Sequence, residues 1–291
     1  MVASALARLP AGFEVDVVIY DDGLSRRTCA ELERIVSLAK TISRFRLERG
    51  FSQRAERLPV AGHVNESMYS RLLIPDLSPT LERAVYIDAD MLVLDDISEL
   101  FTFDLDGAIF AAAVDKYTPT LETGLPYSFE TLGLPPNRHY FNSGLLAIDV
   151  AAWRAAGISA ATADYVRRWD AELRCPDQDG INAVSGERAL ALDRRFHFQV
   201  SGEALGATAS GGDLASAHRD RRQAAVIHFT GPKPWLTAWF GSTIWTRTAG
   251  LWWCVALRSP LISPRHRLRL LAQGAQMVTR GLRTRVVRRE P

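Results

Sequence analysis

The chain has 291 residues, 47% hydrophobic and 23% charged, which gives ample core for one large domain or two small ones and excludes disorder, collagen and coiled coil. A net charge of +2 hides an asymmetry: nine arginines against one acid, Glu290, give residues 258–291 a charge of +8 and leave residues 1–257 at −6. So acidic a body argues against a nucleic-acid-binding core.

Glu14–Asp21 is an apolar run ending in Asp-Asp-Gly and predicts a buried strand followed by a turn. Ser25 then precedes a stretch in which Cys29, Leu32, Ile35, Val36 and Ala39 recur at helical spacing. Residues 41–47 read as a second strand, 67–74 as a helix closed by Pro75 and Pro79, and 84–87 as a third strand running into Asp88-Ala89-Asp90. A short helix at 97–101, a fourth strand at 108–114, a loop rich in Gly and Pro at 118–138 and a strand at 143–149 follow. A helix over 160–173, a loop at 201–216, and apolar segments at 189–192 and 224–229 complete the body. This order predicts an α/β fold with a mostly parallel sheet flanked by helices over residues 1–257, then a basic helical tail over 258–291.

Cys29, Cys175 and Cys254 are too few and too scattered for a disulfide framework or a CxxC zinc site, which fits a reducing compartment. Residues 1–12 lack a basic segment followed by a long apolar core, so no leader is expected. The most apolar stretch, 249–257, is far short of the ~20 residues that span a bilayer. A cytoplasmic protein is expected. Trp252 and Trp253 ahead of the basic tail suit an anionic membrane surface, with a merely solvated terminus as the alternative.

Four segments could carry chemistry. Asp88 and Asp90 stand at i and i+2 after an apolar strand, and two hard carboxylates at a strand end suit Mn²⁺ or Mg²⁺; capping and turn formation are the plainer roles. His228, Gly231 and Lys233 follow another apolar strand and could meet a phosphate, the imidazole on a metal, the glycine admitting backbone N–H groups and the lysine as a point charge. Lysine is scarce here (Lys40, Lys116 and Lys233), which favours a role over chance exposure. Asp177, Gln178 and Asp179 open a helix, where an acid and an amide could hold sugar hydroxyls or an acid could serve as N-cap. Asn142 and Ser143 precede an apolar strand; a turn is their plain reading.

The order DADMLVLDD, YFNSGLLAIDVAAW, CPDQDGIN, HFTGPKPW over residues 16–235 resembles the family 8 retaining glycosyltransferases, which include bacterial lipopolysaccharide galactosyl- and glucosyltransferases and glycogenin. The resemblance implies a GT-A fold, a UDP-sugar donor, Mn²⁺ and a carbohydrate or glycolipid acceptor. It also implies that Asp88, Asp90 and His228 match the metal ligands, and Gly231 and Lys233 the diphosphate contacts. Arg71 resembles the arginine that reaches the donor, and Asp115, Asn142 and Ser143 resemble groups around the donor sugar. Asp177 and Gln178 match the acid–amide pair beneath the anomeric centre. An amide oxygen is neutral and a poor nucleophile, which favours electrostatic stabilisation over a covalent intermediate. The family usually begins with a uridine-gripping strand, whereas Met1 here begins at what resembles the following helix; a misassigned start or truncation is the expectation. Two other readings stand beside this one. A nucleotide-sugar-binding protein with reduced activity fits the short start, and a haloacid-dehalogenase-type phosphatase shares the DxD but wants Thr or Val where Leu92 stands.

Overall fold

The computed structural model describes residues 1–21, 23–49, 58–59, 66–77, 79–200, 220–236 and 244–287, with backbone only for 66, 244–246 and 278–287. The loop expected at 201–216 lies outside the described residues.

The chain opens with a short helix, Val2–Leu6, whose Ser4 hydroxyl accepts the Val93 N–H at 3.2 Å. Strands β1 (Glu14–Asp21) and β2 (Ile42–Arg49) pair in parallel around the helix Arg26–Ser37, which Ser25 caps by accepting the Thr28 N–H. Both strands are half-buried rather than buried, because Val15, Val17 and Phe45 alternate into the core while Asp16 and Arg44 pair outside. A 3-10 stretch, Glu66–Asp76, then leads to β3 (Arg83–Ile87). After a three-residue link β4 (Met91–Val93) begins, followed by a helix at Glu99–Thr102 and β5 (Phe110–Ala112). The 118–138 segment is less of a loop than expected: it holds the helix Leu121–Gly124 and buries Leu121 and Leu125. Next come β6 (Leu145–Asp149), helices Val150–Ala155, Ile158–Arg168 and Pro176–Val184, and then β7 (Ala189–Ala191). Two short strands, β8 (Phe198–Gln199) and β9 (Val226–His228), complete the sheets.

The sheets are mixed, not mostly parallel. One has the order β3-β6-β5-β7 with β6 antiparallel to both neighbours, and another has β4-β9-β8 with β9 antiparallel to β4. Short apolar strands covered on both faces read alike in either direction, so composition carries no sign of this. The two ladders meet at Asp88-Ala89-Asp90. Ile87 pairs with Leu145 at the end of β3, and Met91 pairs with His228 at the start of β4, so both acids lie between two sheets.

Helices Ile244–Arg258 and Pro264–Val287 follow. They cling to the body: Leu261 is buried in the main core, the Ser263 N–H donates to Glu31, and Gln273 donates to the Trp235 carbonyl. Trp253 is buried with its Nε1–H on the Pro234 carbonyl, and Trp252 stacks against Trp235 at 5.2 Å. Trp253 therefore packs inward, whereas Trp252 is half-buried. Among the described residues no helix is long and apolar enough to cross a bilayer.

Candidate active site

The ligand-type atoms of Asp88, Asp90 and His228 lie within 4.8 Å of one another. Asp88 is held by hydrogen bonds to Oδ1 from the Tyr86 hydroxyl at 2.7 Å and from Arg71 at 2.9 Å, leaving Oδ2 turned toward His228 Nε2 at 3.9 Å. Asp90 places Oδ1 3.1 Å from His228 Nε2 and Oδ2 2.6 Å from Lys233 Nζ. Burial opposes the charge on Asp90, but His228 and Lys233 outweigh it and hold its carboxyl well below the usual range. Gly231 lies in the turn between β9 and Lys233. The donor set, two hard carboxylates and an imidazole, fits Mn²⁺ or Mg²⁺. Gly144 supplies a second test of fit. A Cβ there would stand 2.7 Å from both Asp88 Oδ2 and His228 Cε1, and 2.8 Å from Met91 Cε, so only glycine leaves the cradle open.

Gly144→Ala is therefore expected to cost about 1–3 kcal/mol of stability through crowding and to abolish stabilisation by Mn²⁺. Differential scanning fluorimetry with and without the ion reads both.

A second group lies alongside, joined through Arg71. This buried guanidinium hydrogen-bonds Asp88 with Nη2 and the Ser143 hydroxyl with Nη1 at 2.5 Å, and it forms an ion pair with Asp177, whose Oδ2 lies 3.1 Å from Nε without a hydrogen bond, while lying 4.7 Å from the Tyr86 ring centroid. Burial works against its charge, but Asp177 and Asp88 more than restore it, so Arg71 remains a cation. Asp177 is buried. Desolvation pushes its carboxyl up against the pull of Arg71, and its Oδ1 has no hydrogen-bond partner among the described residues. Gln178 is turned so that Oε1 accepts the Ser143 N–H at 3.0 Å.

The structure places Asp115, Asn142 and Asp179 in different work from what their residue types suggest. Asp115 Oδ1 accepts the backbone N–H groups of Tyr117 and Thr118, and Oδ2 accepts from Asn142 and Gln199, so its oxygens shape the loop. Asn142 Oδ1 in turn accepts the Gly144 N–H, setting the backbone of the cradle. Asp179 is not the N-cap, which is Cys175. It reaches back to the Arg174 and Cys175 N–H groups and takes the hydroxyls of Tyr127 and Tyr140, pinning the 118–138 segment to the helix that carries Asp177.

Sequence reasoning missed Tyr86, Gln199 and His197. Tyr86 stands two residues before Asp88 on the same strand face, a signal that was legible. Gln199 and His197 reach the site only through the pairing of β8 with β9, and no local pattern marks them. His197 Nε2 lies 2.7 Å from His228 Nδ1, and burial drives its imidazole well below the usual range, so it is neutral.

The mixed α/β fold finds its counterpart among solved glycosyltransferases. The chain matches a galactosyltransferase, LgtC, solved with donor and acceptor sugar analogs, at a TM-score of 0.62 and 23% identity over 80% of this chain and 84% of that one. It matches the WbbM bifunctional glycosyltransferase at 0.65 and 20% identity, over 86% of this chain and 48% of that one. The fold is GT-A. The glycosyl transferase family 8 model matches residues 1–238, and the chain belongs to that family. Among curated proteins it is 27% identical to general stress protein A of Bacillus subtilis over 81% of each chain. It is 28% identical to the lipopolysaccharide 1,2-glucosyltransferase of Escherichia coli, over 77% of this chain and 63% of that one. Membership of this family sets the phosphatase alternative aside.

Proposed function

We propose that the chain is a cation-dependent, retaining hexosyltransferase that moves galactose or glucose from a UDP-sugar to a glycan or lipopolysaccharide-type acceptor. The observation that carries this reading is the junction made by Arg71, which forms ion pairs with Asp88 of the cation-type cluster and with Asp177 of the acid–amide pair at once. One side of that junction suits a diphosphate and the other suits a sugar.

A divalent cation held by Asp88, Asp90 and His228 would neutralise charge on the departing diphosphate. Lys233 brings a positive charge to the rim of the same cluster, and Gly231 leaves backbone room beside it. Positive charge develops at the anomeric carbon as the sugar–phosphate bond lengthens. Oδ1 of Asp177, without a hydrogen-bond partner among the described residues and fixed by Arg71 and Ser143 in a buried setting, is suited to stabilise that charge without rearranging. Gln178 Oε1 already accepts a hydrogen bond, which lowers its nucleophilicity further, so the pair is assigned an electrostatic role and not a covalent one. The acceptor hydroxyl then attacks the anomeric carbon on the face that the diphosphate leaves, as the sugar–phosphate bond breaks and the hydroxyl proton passes to the departing diphosphate oxygen. Asp115 and Asn142 act indirectly, by holding the loop and the Gly144 cradle.

Melting curves with UDP, Mn²⁺ and both together test the assignment: the shift with both ligands is expected to exceed the sum of the shifts with each alone, because only the native state carries the assembled site. Turnover with a UDP-hexose panel then separates a transferase from a protein that only binds the nucleotide sugar. Binding without release of UDP in the presence of an oligosaccharide acceptor would refute the enzyme.

The C-terminal helix supports the proposed association with an anionic membrane on grounds other than tryptophan. Leu268 and Leu271 are 66% and 51% exposed, and Arg265 and Arg269 are exposed on the same helix. Leu268→Glu with Leu271→Glu is expected to lower pelleting of the full chain with phosphatidylglycerol vesicles at least several-fold, with no change on neutral phosphatidylcholine. Equal pelleting would remove the membrane from this reading.

A further inference from the structure

His228 can offer Nε2 to a cation only if its ring proton sits on Nδ1, and a buried Nδ1–H needs an acceptor. The structure supplies one: His197 Nε2, 2.7 Å away, with the two ring centroids 4.9 Å apart. The backbone leaves little freedom in this contact. Strands β8 and β9 pair with Phe198 opposite Ile227 and Gln199 opposite His228, the Val200 N–H bonds the His228 carbonyl at 2.8 Å, and the His197 N–H closes the turn on Arg194. His197 and His228 are each 5% exposed, so both rings lie in the core.

An ordinary core histidine satisfies both ring nitrogens. His197 does not. Its Nδ1 is buried without a hydrogen-bond partner among the described residues, so its one polar contact is with His228. A polar ring kept in the core at that cost, against one atom of one neighbour, is placed for that neighbour.

We propose that His197 is the positioning residue for His228, resting on the assignment above of His228 as a cation ligand. Its Nε2 accepts the His228 Nδ1–H and thereby fixes which nitrogen faces Asp88 and Asp90.

The experiment is Mn²⁺ binding to the full chain without donor, by calorimetry and by the electron paramagnetic resonance signal of free Mn²⁺, for wild type, His228→Ala, His197→Phe and His197→Gln. Phenylalanine keeps the ring volume and removes the acceptor, whereas the glutamine Oε1 reaches the place of Nε2. Affinity is expected to fall about 10–100-fold in His197→Phe and to recover most of that loss in His197→Gln. Melting temperatures without metal report whether each variant is folded. Should His197→Phe fail to fold, His197→Gln against His228→Ala decides, since Gln must bind Mn²⁺ far more tightly than the ligand deletion. Wild-type affinity in His197→Phe, with binding lost in His228→Ala, would overturn the positioning role alone. Binding that survives in His228→Ala would overturn the cation assignment, and the positioning role with it.

Discussion

Asp88→Asn is expected to lower transfer by on the order of 10²–10³-fold, the scale seen when one pre-placed electrostatic group is removed from a site, while leaving the fold intact. The asparagine oxygen can still accept the Tyr86 hydroxyl and the Arg71 guanidinium, so the two hydrogen bonds that seat the side chain survive. The negative charge is lost, and the atom that faces His228 becomes an amide NH2, which cannot ligate a cation. Asp90→Asn should reduce transfer as much but cost more stability, because Lys233 and His228 then face a neutral group. Initial rates against Mn²⁺ concentration distinguish the two effects: the cation dependence should move to higher concentration in both variants. An unchanged rate and an unchanged cation dependence in Asp88→Asn would place the cation elsewhere.

Arg71→Met is expected to be the most destabilising single change in the site, by about 3–5 kcal/mol, the usual cost of stranding one buried partner of an ion pair. Both sides of the pair are almost fully enclosed, with side-chain exposures of 5% for Arg71 and 2% for Asp177. The sign of the pH dependence follows from Asp177. Burial already raises its folded-state pKa, and removing Arg71 takes away the opposing pull, so the carboxyl binds its proton more tightly in the folded protein than in the unfolded chain. Stability from such a group is present below the unfolded pKa and is lost as pH rises through the folded one. The gap between wild type and variant should therefore be narrower at pH 5 than at pH 8, as read by urea denaturation. A gap that widens on acidification would mean that Asp177 is not the stranded group.

Four ordered segments and a strand-terminal acid pair were legible because chemistry of this kind needs particular residue types at short spacing. The Ser25-capped helix was legible for the same local reason, since the cap and the spacing of Ile35 and Val36 lie within one helix. Longer-range facts had no such trace. That Trp253 turns inward onto the Pro234 carbonyl depends on helix Ile244–Arg258 returning to the body, and that Asp115 spends its oxygens on its own loop depends on Asn142 and Gln199 arriving from two other strand ends.

By itself the sequence determined the family and offered the candidate residues of the four segments, because side-chain identity and local spacing are properties of the chain alone. Strand direction, the closure of the Gly144 cradle on Asp88, the bridge from Asp88 to Asp177 through Arg71 and the contact of His197 with His228 were decided only by tertiary structure. Each joins residues from separate elements, and a buried polar atom's partner is set by which strands pair and in what register, not by its neighbours along the chain.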